Sequence, residues 1–233
     1  EVEKDNGKNK NAISLLDQIT SKVIKLQTRS SKILDSIQLS LKKEGIHFIN
    51  ENEVKQSQKE FLKDFFLREI SPALVTIILS KRKKYDFTDN KAFLITKMSF
   101  KEHEDIHAIV EIPENISRFV VLPKESKKQY IMLIDDIIRY HLKIIFSYYN
   151  YDSIDTHMVK ITRDAEMDID DIDMSKSYIK KISEYVRKRK YSNPVRLVYD
   201  KDISESTLDF IIKKIKITSN DSLIPGARYH QRR

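Results

Sequence analysis

Four stretches carry side chains whose types and spacing could do chemistry. HEDIH, His103 to His107, satisfies H-E-x-x-H, in which two histidines hold zinc and the glutamate activates water. HLK, His141 to Lys143, has the core of the phospholipase-D-type H-x-K motif. VKITRDAEMDIDD, Val159 to Asp171, sets Arg163 beside Asp164 and Glu166. NDSLIPGARYHQRR, at the end of the chain, carries Arg228 and His230 on either side of Tyr229.

The elements that must hold these groups decide between them. A zinc-peptidase motif needs both histidines one turn apart on a helix. MSFKEHEDIHAIVEI has no helical stripe; its period-two character predicts a hairpin, with Ser99 to Asp105 as the turn and His107 leading into the second strand. Four residues along a strand span about 13 Å, too far for two ligands of one ion. No zinc is expected, and both histidines read as exposed turn and strand residues. The H-x-K motif also carries an Asp five residues after its lysine, and here that place is Tyr148. His141 falls beside the apolar stripe of Ile137, Ile138, Ile144 and Ile145, which predicts a core or boundary histidine.

Arg163 reads differently. A strand over THMVKITRD delivers it at its end, next to carboxylates. That arrangement is either a structural ion pair with Asp164 or Glu166, or an oxyanion-binding cation held in place by that pair. In the terminal loop, Pro225-Gly226 predicts a tight turn from which Arg228 and His230 project.

Composition narrows the chemistry further. The chain has 233 residues, 40% hydrophobic, a net charge of +8 and no cysteine. Disulfides, thiolate metal sites and cysteine nucleophiles are thereby excluded, and the usage fits a reducing cytoplasm. Only Gly7, Gly45 and Gly226 occur, so no Walker loop, dinucleotide fingerprint or G-x-S-x-G elbow can form. Phosphate would have to be held by side-chain cations. The positive balance, with KRKK at Lys81 and RKRK at Arg187, favours polyanions, although such runs are also ordinary solvated surface. No stretch is apolar enough to cross a bilayer and no signal-peptide pattern opens the chain. Glu1 in place of Met and the polar, charged lead-in EVEKDNGKNKN, read as flexible, suggest a piece of a longer protein.

Apolar residues at three- and four-residue steps from Ile13 to Leu41 predict a long amphipathic helix over Ala12 to Glu44, capped by Gly45. After it come a short strand (IHFIN), an amphipathic helix (Lys55 to Arg68), a buried strand (ISPALVTIIL) and the hairpin. A strand (RFVVLP), a buried helix (IMLIDDIIRYHLKIIF), a strand (THMVKITRD) and a surface helix (SKSYIKKISEYVRKRK) follow. A strand (PVRLVYD), a helix opened by Ser204 and a terminal loop complete the chain. The fold class is α+β, a long N-terminal amphipathic helix followed by a mixed sheet-and-helix domain.

FVVLP, IMLIDDIIRYHLKIIF, HMVKITRDAEMD, PVRLVYD and DSLIPGARYH stand in the order and spacing found in bacterial polyphosphate kinases of the first class, which the chain resembles over nearly its whole length. T-R-D-A-E and P-G-x-R-Y-H are the most specific strings. The chain departs from the family in PGAR, where two glycines are common, and in QRR after His230, where the family runs on with N-F. The resemblance implies that residues 1–44 are the end of an N-terminal helical domain and residues 45–233 the middle, or head, domain.

It further implies a kinase that uses ATP and Mg2+ to build polyphosphate reversibly through a phosphohistidine. The nucleophile and most nucleotide ligands would lie in phospholipase-D-like domains beyond this chain. No catalytic residue is therefore carried over to His47, His103, His107, His141, His157 or His230. This chain alone is expected to bind no cofactor and to be inactive as a kinase.

Its expected part is head-domain scaffold, contacts to the remaining domains of the same polypeptide and to a homodimer or higher homo-oligomer, and Arg163, Arg228 and His230 as polyphosphate-binding cations. The alternatives are a stand-alone basic dimerisation module and a nucleic-acid binder, the latter disfavoured by the lack of a ribonucleoprotein signature. The expected location is the cytoplasm, with membrane association open to the full-length enzyme.

Overall fold

Helix α1 runs from Val2 to Lys43, longer than the apolar periodicity indicates. The charged lead-in is part of this helix: no proline precedes Pro72, and Glu3, Lys4, Lys8 and Lys10 favour helical backbone. The computed structural model describes residues 2–80, 85, 87, 91–163, 194–217 and 223–229. Along α1 the apolar residues Leu16, Ile19, Leu26, Ile33 and Ile37 are about half exposed or more, while Val23 and Leu41 of the same stripe are only partly exposed. The helix ends as its composition indicates. Gly45 adopts φ +81°, and its amide donates to the Lys42 carbonyl at 3.2 Å.

The chain divides into two compact units. One comprises Leu26–Leu79 and Phe93–Thr156. In it, β1 (Ile46–Ile49) lies parallel to β6 (Gln129–Leu133), and β5 (Phe119–Val121) flanks β6 antiparallel on the other side. A second run orders β2 (Val75–Leu79), β4 (Ile106–Glu111) and β3 (Ala92–Ser99), all antiparallel. The β3–β4 hairpin turns where the sequence indicates. Phe93, Leu94, Ile95, Ala108, Ile109 and Val110 are wholly buried, which gives their strands runs of apolar residues instead of clean alternation.

Two expectations are corrected here. ISPALVTIIL is not one buried strand: Ser71–Ala73 forms a 3-10 turn around Pro72, and β2 is an outer strand with Val75 and Ile78 exposed. IMLIDDIIRYHLKIIF is not one helix. Ile131 to Leu133 complete β6, α3 covers Ile134–Tyr140, and α4 covers Leu142–Ile145 after a break at His141. The second predicted helix is present as one helical run of mixed type: α2 (Lys59–Phe65) follows a 3-10 turn over Gln56–Gln58 and widens into a π turn over Phe66–Ile70, burying Leu62, Phe66 and Ile70.

The other unit comprises Glu1–Lys25, Ser80–Ala92 and His157–Arg233. Strand β7 (Ser153–Arg163) enters it at His157 and pairs antiparallel with β8 (Pro194–Asp200). Helix α5 (Glu205–Ile215), opened by Ser204 in extended geometry, buries Thr207, Ile211 and Ile215. It leads to β9 (Leu223–Gly226), parallel to β8. The expected terminal loop is thus a strand in part, and Pro225-Gly226 lies within it instead of forming a tight turn. As the last strand of its run, β9 tolerates a proline that donates no ladder bond. The surface helix expected over SKSYIKKISEYVRKRK and the basic runs KRKK and RKRK lie outside the described residues.

Candidate functional site

The motif HEDIH is not helical. His103 is exposed in the turn, while His107 is buried in β4, correcting the expectation that both are exposed. Directly across the ladder from His107 stands Lys97, whose ammonium lies 2.9 Å from Asp105. Burial, and then the Lys97 charge, push the His107 imidazole down to about 4. Its neighbour Asp105 is held below the usual carboxylate range chiefly by its bond from Lys97. A neutral ring facing an ammonium is a poor place for a metal cation. Among the described residues no group of three or more His, Asp or Glu side chains could hold a metal ion.

His141 is a packing residue, as its position on an apolar stripe indicates. It stacks on Phe66 with ring centroids 4.3 Å apart and 9° between planes, and its Nδ1 donates to the Ile137 carbonyl at 2.8 Å. Burial lowers its basicity, with the Ile137 bond opposing.

A buried ionic cluster on α3 escaped the sequence reading. Arg139 Nη1 donates to Asp136 Oδ1 at 3.0 Å, and Arg118 Nη2 to Asp135 Oδ2 at 3.2 Å. Asp135, Asp136 and Arg139 are all buried. The signal was present as D-D-x-x-R inside an apolar run, a spacing that puts Asp136 and Arg139 on one helical face. Arg139 Nε and Nη2 and Asp135 Oδ1 make no hydrogen bond.

The residues proposed for oxyanion binding lie in the unit of β7, β8 and β9. Arg163 closes β7, opposite Pro194 at the start of β8, after a register shift at Thr162. Arg228 is half-buried two residues beyond Gly226, which pairs with Asp200 at the other end of β8. Its guanidinium stands 5.7 Å from the Tyr229 ring centroid. Pro194 to Asp200 is seven residues of strand, so the two arginines attach to opposite ends of the run, about 20 Å apart along it. The structure does not bring their backbones together. Asp164, Glu166 and His230 lie outside the described residues.

At the Arg228 end, the sequence reading missed a pair that the strand register creates. His157 Nδ1 donates to Asp200 Oδ2 at 3.2 Å, and Asp200 Oδ1 accepts from the Asp202 amide at 3.1 Å. Both side chains are buried. Forty-three positions separate them in the chain, so no local motif could reveal the contact.

A family model described as the polyphosphate kinase middle domain matches residues 57–233. Polyphosphate kinase of Vibrio cholerae is 32% identical over 98% of this chain and 33% of its own length. That of Escherichia coli K12 is 29% identical over 98% of this chain and 34% of its own length. The chain therefore spans about a third of the curated relatives it matches. The crystal structure of polyphosphate kinase from Porphyromonas gingivalis superposes with a TM-score of 0.73 at 22% identity, covering 97% of this chain and 32% of that one. At that identity the likeness establishes the fold.

Proposed function

This chain belongs to the polyphosphate kinase middle-domain family, and from that premise we propose that it is the head-domain part of an enzyme transferring the ATP γ-phosphoryl group reversibly to polyphosphate. The observation that carries this reading is the family match over residues 57–233, joined to relatives of the same name aligned over 98% of the chain. In the proposed enzyme a phosphohistidine in the remaining domains carries the phosphoryl group. Mg2+ and ATP are assigned to those domains too. The sequence reason for this assignment is that three scattered glycines cannot cradle a nucleotide.

The chain's own contribution is scaffold and charge. Linear polyphosphate carries about one negative charge per phosphate, so arginines can neutralise it as they do a nucleic-acid backbone. Arg163 and Arg228, with His230, are proposed to contact the polymer at separate points. Their attachment to opposite ends of β8 suits a long flexible anion better than a single phosphate. Arg163→Ala and Arg228→Ala in the full-length enzyme test this. Slower elongation at unchanged melting temperature is expected; unchanged elongation with lowered stability overturns the role.

A second reading, assembly of the chain with a copy of itself, is favoured by one observation. Leu26, Ile33 and Ile37 of α1 are about half exposed or more, at steps of seven and four residues, the spacing of a helix-pairing seam. Sedimentation of the chain tests it, and a strict monomer that binds polyphosphate overturns it. Among the described residues no helix is long and apolar enough to cross a membrane.

A further inference from the structure

A second concentration of charge lies in the unit of Leu26–Leu79 and Phe93–Thr156, to which neither arginine belongs. Helix α1 ends there in Lys42 and Lys43, and the turn between β5 and β6 carries Lys127 and Lys128. Backbone contacts clamp the two together. The Gln129 amide donates to the Gly45 carbonyl at 2.8 Å, and a Cβ on Gly45 would stand 3.0 Å from the Lys127 carbonyl oxygen. Mutual bonds between Glu125 and Lys128, at 3.1 and 2.9 Å, close the turn itself. The backbones that carry these lysines are therefore held side by side.

Between helix end and turn sits His47, in register with Tyr130 and stacked on it at 5.2 Å between centroids. Lys55 reaches the same place, with its ammonium 2.9 Å from Glu125 and bonded to the Tyr130 hydroxyl. Glu125 neutralises Lys55, but neither Lys42 nor Lys128 has a carboxylate partner among the described residues. The helix C-terminus offsets only about half a unit charge. The surplus is felt by His47: beyond partial desolvation, Lys128, Lys42 and Lys55 each lower its basicity.

We propose that Lys42, His47 and Lys128, braced by the Gly45 clamp, form a polyanion-binding patch that takes linear polyphosphate. The proposal rests on the function proposed above for its choice of anion, and adds a contact site outside the unit that carries Arg163 and Arg228. A condensed phosphate chain fits better than single-stranded nucleic acid because the patch offers little to stack a base on. Tyr130 is buried, its hydroxyl is engaged by Lys55, and its ring already faces His47. An anion seated there needs cations and a rigid frame, which the clamp supplies.

The test uses the 233-residue chain with long-chain polyphosphate and tripolyphosphate as probes, at fixed ionic strength. The variant Lys42→Gln/Lys128→Gln removes two exposed charges without burying anything, and its melting curve checks its fold. We expect it to bind long-chain polyphosphate about tenfold more weakly, with a shallower salt dependence. In the unaltered chain, tripolyphosphate should raise the His47 titration midpoint measured by NMR. Equal binding by the variant and no movement of His47 overturn the patch. If Arg163→Ala/Arg228→Ala then loses binding, the proposed function survives that failure. A chain that binds no polyphosphate at all overturns both. Displacement of polyphosphate by single-stranded DNA of matched charge, at equal or lower concentration, overturns the assignment of the ligand.

Discussion

Arg139 Nη1 stands 3.0 Å from Asp136 Oδ1, one turn earlier on α3, with the two side chains 2% and 1% exposed. At that burial neither charge is hydrated, and each depends on the other for compensation. Asp136→Ala leaves the guanidinium buried without its anion and should cost about 3–5 kcal/mol of unfolding free energy in urea melts. Replacing both, as Asp136→Leu/Arg139→Met, removes the uncompensated charge and should cost markedly less than the single change. A double variant as unstable as Asp136→Ala would show that the pair does more than neutralise itself.

Gly45 carries a second prediction. Its φ of +81° is strained for any residue with a Cβ, and that Cβ would press on the Lys127 carbonyl oxygen. Gly45→Ala should therefore destabilise by at least about 1–2 kcal/mol, read as a lower midpoint in thermal melts. It should also weaken polyphosphate binding even at temperatures where the chain stays folded, because the clamp orients Lys42 and Lys128.

These two sites differ in how they show in the sequence, and the difference has a physical basis. Gly45 was legible as a helix cap, since the left-handed turn that ends a long helix selects glycine from local backbone sterics alone. Its contact with the Lys127 carbonyl was not, because that depends on the parallel pairing of β1 with β6, more than eighty positions away. The β3–β4 hairpin and β8 showed in their patterns for the same local reason. β9 did not: Pro-Gly has turn chemistry, and only its place at the end of the run makes a strand of it. IMLIDDIIRYHLKIIF misled because its apolar density suits a buried strand and a buried helix equally, and length alone pointed to one helix. The pairing of His157 with Asp200 likewise needs the β7–β8 register before it exists.

The buried His107 gives the fold a pH dependence whose sign is fixed. Its folded value of about 4 lies below the unfolded 6.5, so the native state resists taking up the proton. Stability from this residue is complete above pH 6.5 and is lost as pH falls from 6.5 toward 4, beyond which the loss levels off. The total is on the order of 2 kcal/mol once solvent screening is allowed for. His107→Gln cannot titrate there. The difference in unfolding free energy between the two proteins should slope across that window and be flat above it. A constant difference would mean that the imidazole is solvated in the native state.

Asp200 and Lys201 together tie the end of β8 to both of its neighbours. Asp200 accepts from His157 on β7 and from the Asp202 amide, while the Lys201 amide donates to the Gly226 carbonyl of β9 at 3.2 Å. Arg228 follows two residues later, so its position depends on this junction. Asp200→Ala strips a buried acceptor from two donors and should cost about 1–3 kcal/mol. Asp200→Asn keeps an oxygen for one of those donors and should recover part of the loss. If Arg228 contacts polyphosphate as proposed, Asp200→Ala in the full-length enzyme should also slow elongation at temperatures well below its melting point. That slowing should be absent when Arg228→Ala is already present, since a junction that acts by placing Arg228 has nothing left to place. Additive losses in the double variant would separate Asp200 from Arg228 and confine it to stability.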